Sequence, residues 1–96
     1  MSYLVLSYKC LKSMRKAYRA NGQDIFEMPF FVEAFPGNST DDLSNALYLL
    51  KSTGVVDVQS ADNMAYLTAY RPLVDHKNRL RWLLSALWQA LGLFKP

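Results

Sequence analysis

The chain has 96 residues, of which 51% are hydrophobic, 20% charged and 14% aromatic, with a net charge of +3. That is enough apolar content for one small core and too little chain for two, and it is not the composition of a disordered chain. With one cysteine and one histidine, an intramolecular disulfide and a Cys/His metal centre are excluded as well.

The charge falls in three blocks. Residues 1–20 hold Lys9, Lys12, Arg15, Lys16 and Arg19 and no acid. Residues 21–70 hold seven acids against Lys51. Residues 71–96 hold Arg71, Lys77, Arg79, Arg81 and Lys95 against Asp75.

A helix is predicted over about 3–20, with Leu4, Tyr8, Leu11 and Tyr18 on its core face and Met14 beside them. Lys9, Lys12, Lys16 and Arg19 recur at intervals of three and four, so they form a second, basic stripe. Asn21-Gly22 reads as its C-terminal cap. Gln23 to Phe35 is ambiguous: Asp24 is a possible N-cap, and Pro29 suits the first turn of a short helix over 29–35. Phe26, Met28, Phe30, Phe31 and Phe35 are candidate core, and Pro36-Gly37 stops the helix.

Ser39-Thr40-Asp41-Asp42 starts the next helix, about 40–53. A hydroxyl can cap it, and the acids sit at the positive end of the helix dipole. Leu43, Ala46, Leu47 and Leu50 form its buried face, and Gly54 ends it. The period then changes to two. Val55–Gln59 and Met64–Tyr70 read as the strands of a hairpin over 55–70, joined by the turn residues Ser60-Ala61-Asp62-Asn63. The last helix, about 75–94, is apolar nearly all round. Leu80, Leu84, Leu87 and Leu91 are spaced 4, 3 and 4 apart, with Trp88 beside them. That spacing makes these five residues a candidate homodimer seam. A buried core helix is the second reading and a membrane surface the third, because Ser85 and Gln89 alone make a weak polar face.

This order of elements resembles the winged helix-turn-helix superfamily over roughly residues 3–70. The resemblance is carried by Phe30–Phe35, the turn Pro36-Gly37-Asn38, the helix Asp41–Ser52, Gly54 and the two strands. It implies an α+β winged helix with an added C-terminal helix, forming one domain over 1–96. It places Asp41–Ser52 at the recognition-helix position, with Asp41, Ser44, Asn45, Tyr48, Lys51 and Ser52 facing outward toward nucleic acid. The C-terminal helix resembles one that small bacterial and phage members use to dimerise. The chain departs from the family in the acids Asp41, Asp42 and Asp62, which stand where bases would meet phosphate.

The candidate nucleic-acid contacts are therefore Lys9, Lys12, Lys16, Arg19, Ser44, Asn45, Tyr48, Lys51, Lys77 and Arg79. If the closing helix lies beside the first, the two basic flanks merge into one patch. The expected role is a small transcriptional regulator. The alternative is a protein-interaction module of phage or mobile-element type that uses the same scaffold without binding DNA. Cys10 and His76 lie in different segments, no glycine-rich phosphate loop occurs, and the adjacent acids Asp41-Asp42 are accounted for by the helix dipole. No catalytic activity and no cofactor are therefore expected. No signal peptide or membrane span is legible, so the cytoplasm is the expected compartment.

Overall fold

The computed structural model describes residues 3–91. Among them are four helices and three strands: α1 Tyr3–Asn21, β1 Ile25–Glu27, α2 Met28–Ala34, α3 Thr40–Ser52, β2 Val56–Ala61, β3 Met64–Tyr70 and α4 Pro72–Leu91. The strands form one antiparallel sheet in the order β1-β3-β2. The protein is thus a small α+β fold.

Local chemistry sets the element ends. At the N-terminus of α3 the Asp42 N–H donates to the Ser39 hydroxyl at 3.1 Å, which satisfies one of the free donors of the first turn. Asp41 and Asp42 follow in that turn, as the dipole favours. Pro29 lies in the first turn of α2, where a missing N–H costs nothing. Gly22, at φ 76°, follows α1 and donates its N–H to the Tyr18 carbonyl at 2.8 Å. The hairpin turns on Asp62 and Asn63, at φ 53° and 63°. Two residues at positive φ match the twist of the strands they join, and Asp and Asn tolerate that region.

One face of the sheet packs on the helices. Phe26 of β1 and Val58 of β2 both lie opposite Thr68 of β3, and all three are buried. The core adds Leu43, Ala46, Leu47 and Leu50 from α3, Met28 and Phe31 from α2, and Leu6, Cys10, Leu11 and Met14 from α1. Each large side chain fully buried here contributes about 1.5–3 kcal/mol over its exposed state. The Phe26, Phe30 and Phe31 rings meet with centroids 4.7–6.1 Å apart, a spacing that adds to the value of the burial itself.

The structure corrects four expectations. The core face of α1 is Leu6, Ser7, Cys10, Leu11 and Met14, roughly a quarter turn from the predicted one. Leu4, Tyr8 and Tyr18 are exposed. The reason is the close approach of α1 to α3: the small Ser7 and Cys10 fit that seam where a tyrosine would not. Ser7 can be buried because its hydroxyl donates to the Leu4 carbonyl at 2.8 Å. Asp24 caps no helix; the segment after it is the strand β1, and the Asp24 carbonyl accepts from the Tyr70 N–H at 2.7 Å. The last helix begins at Pro72, immediately after β3. Finally, α4 is no core helix over its described length, since Leu80, Trp82, Leu83, Leu84 and Leu87 are all exposed.

Candidate nucleic-acid interface

The seam that buries Ser7 and Cys10 points the opposite side of α1 outward. Lys9, Lys12, Lys16 and Arg19 stand exposed on that side. Together with Arg79 of α4 they line a groove of about 500 Å³, and Tyr8, Ser13, Arg15 and Phe35 complete its lining. No acid lines it among the described residues. Such an array raises the local potential and draws polyanions toward it. Lys12 Nζ lies 5.8 Å from the centroid of the Tyr8 ring, within the range of a cation–π contact.

What brings Arg79 to α1 is a buried lock at the base of α4. Asp75 is 3% exposed. Its carboxylate accepts a fork from Arg15, Nε and Nη2 each at 2.7 Å, and the Tyr70 hydroxyl donates to it as well. A two-pronged guanidinium–carboxylate pair fixes orientation as well as distance. α1, β3 and α4 are therefore joined at one carboxylate. Burial alone would push the Asp75 carboxyl up, but the bonds from Arg15 and Tyr70 outweigh it and hold it below the usual carboxylate range. Burial first, and the neighbouring carboxylate second, push the Tyr70 phenol up to about 12. Farther along, the Asn78 amide donates to the Thr53 carbonyl at 3.3 Å.

On its α3 side, α4 leaves a second and larger groove of about 850 Å³. Tyr8, Leu11, Leu50, Val55, Trp82 and Leu83 supply much of its apolar wall. Tyr8, Arg15 and Arg79 border both grooves.

The residues expected on the outer face of α3 do not act together. Ser44 is a correction: it is 2% exposed, and its hydroxyl accepts the Ala65 N–H at 3.1 Å. It serves the α3–β3 contact and does not face outward. The Tyr48 hydroxyl is bonded to that of Ser60 in the hairpin. Lys51 lies 3.9 Å from Asp57, which Arg71 also approaches at 3.8 Å. Asn45 is exposed. Asp41 and Asp62, also exposed, add negative charge to this side.

Lys77 is exposed on α4 but lines neither groove. Of the expected seam, Leu80, Leu84 and Leu87 are exposed, while the side chains of Trp88 and Leu91 lie outside the described ones. Sequence reasoning missed Tyr8 and Phe35 as groove residues and Arg15 as the lock. Tyr8 stands four residues before Lys12, a spacing that puts the two on one helix face. That was the available signal.

Among the described residues no group of three or more His, Cys, Asp or Glu is placed to hold a metal ion. None of the helices is long and apolar enough over those residues to cross a membrane. Comparison with protein-family models, curated proteins and solved structures found no match to this chain.

Proposed function

We propose that this protein is a nucleic-acid-binding module of winged-helix architecture, a small regulator of transcription, and that it binds through the α1–α4 groove. The observation that carries the reading is the convergence of Lys9, Lys12, Lys16, Arg19 and Arg79 on one groove with no acid among its described lining residues. Support for the architecture comes from the helix–strand–helix–helix–hairpin order and from β1 pairing with β3 rather than β2. The α3 face contributes little under this reading, because its one base, Lys51, lies beside Asp57 and Ser44 is buried.

The test is fluorescence anisotropy with labelled nucleic acid at about 50 and 200 mM salt, the range over which phosphate contacts weaken steeply. Micromolar, salt-sensitive binding is expected. The double variant Lys12→Glu/Lys16→Glu should lose about ten- to a hundredfold in affinity and flatten the salt slope by about two. An unchanged affinity in that variant would remove the groove from the reading.

Two copies pair through α4 in this reading. Leu80, Leu84 and Leu87 are exposed and spaced as one side of a two-helix seam. Light scattering should give the mass of two chains; the mass of one chain would remove the dimer. A protein-interaction role is the second reading, favoured by the exposed acids Asp41 and Asp62 on the α3–hairpin side. It gains if no nucleic acid binds at the lower salt.

A further inference from the structure

We infer that the α1–α4 groove takes single-stranded nucleic acid in preference to duplex, with bases stacked on Tyr8 and phosphates met by Lys9, Lys12, Lys16, Arg19 and Arg79. This rests on the nucleic-acid reading above and adds the form of the ligand.

Three observations bear on it, two on the form of the ligand and one on its length. The first is the presence of two aromatic side chains in the lining of the basic groove. Tyr8 is 55% exposed and shares the lining with Phe35 and the five cations. Phe35 is held there as the residue capping α2, its N–H donating to the Phe31 carbonyl at 2.9 Å. A ring beside a phosphate-binding track is a stacking platform. It suits a strand whose base faces are open and offers nothing to a duplex, whose bases already stack on one another. Lys12 Nζ, 5.8 Å from the Tyr8 ring centroid, keeps a cation beside the platform.

The second observation is the span of the track. Lys9 to Arg19 covers eleven residues of one helix, about 15 Å along its axis. At roughly 3.4 Å per phosphate along a strand this is about four nucleotides, the lower end of known single-strand site sizes, about four to sixteen nucleotides; it sets the length of the ligand and not its form.

The third is the state of the duplex-reading face. Reading a duplex requires an element whose side chains reach base edges in a groove. On α3, Ser44 is buried against β3, Tyr48 is bonded to Ser60, and Lys51 shares Asp57 with Arg71. The exposed Asp41 in the first turn of α3 and Asp62 at the hairpin tip would repel phosphate.

The experiment is an anisotropy titration with a labelled oligothymidine strand of about 15 nucleotides and a duplex of equal length, each at about 50 mM salt. It uses the full chain and its Tyr8→Ala and Tyr8→Phe variants. The single strand is expected to bind at least about tenfold tighter than the duplex. Tyr8→Ala should weaken the single strand by about fivefold or more and the duplex by clearly less, while Tyr8→Phe keeps the ring and the single-strand affinity. Duplex binding as tight as single-strand binding would overturn the inference and leave the nucleic-acid reading standing. Single-strand binding indifferent to Tyr8→Ala would overturn it too. Failure of both probes to bind would overturn both readings and point to a protein partner.

Discussion

On α1, Lys9, Lys12, Lys16 and Arg19 are exposed, and none forms an ion pair with a described residue. On the α3–hairpin side, Lys51 of α3 and Arg71, which follows β3, both lie within 4 Å of Asp57. Both regions hold basic side chains, so a count of bases does not separate them. What separates them is the position of the acids. The carboxylates nearest α1 are either absent from its groove or, in the case of Asp75, fully engaged by Arg15 and Tyr70. Asp57 lies at the surface, so it dilutes the charge of its neighbours without locking them.

The largest way to break this contrast is to remove the lock. Asp75→Ala leaves a partly buried guanidinium and a buried phenol without their partner. It should cost about 3–5 kcal/mol in urea unfolding and should also reduce nucleic-acid affinity, because Arg79 is no longer held beside α1. The same pair carries a pH signature. The folded-state pKa of Asp75 is lowered, so its contribution is complete above the ordinary carboxylate pKa, about 3.9. That contribution fades as pH falls below that value. Acid unfolding of the parent and of Asp75→Asn should therefore converge below about pH 4 and separate above it. A constant gap between them would mean that the lock carries no net charge effect.

The next effect sharpens the contrast directly. Lys12→Glu/Lys16→Glu is expected to lose affinity strongly, whereas Lys51→Gln should change it by less than about twofold, since that base already shares a carboxylate. Equal losses on the two faces would make the interface continuous around the molecule.

The smallest effect comes from Asp57→Asn. It should alter stability by less than about 0.5 kcal/mol. It should raise nucleic-acid affinity slightly, by freeing Lys51 and Arg71, when read by the same titration. A marked loss of stability would show the surface pairs to be stronger than their distances imply.

Much of the fold was legible in local signals. The cap at Ser39, the face Leu43/Ala46/Leu47/Leu50 and the turn before Met64 each follow from residue types at short spacing. The basic stripe was legible for the same reason. The phase of α1 was not, because Tyr8 and Leu4 are as apolar as a core residue, and the face is chosen by which side chains are small enough for the α3 contact. β1 was hidden because three residues carry too little period to register as a strand. Ser44 was misplaced because a serine beside apolar neighbours gives no sign that a strand N–H will need its hydroxyl. The lock was invisible because Arg15 and Asp75 are 60 residues apart, and only the fold brings them together.

Cys10 lies in the α1–α3 seam at 0% exposure, and burial pushes its thiol up to about 12. It is the one sulfhydryl in the chain, and only an exposed thiolate is reactive. Alkylation of this protein is therefore a clock for the opening of one particular helix–helix seam. The chain carries, without any engineering, a chemical reporter of the contact that aims the basic stripe outward.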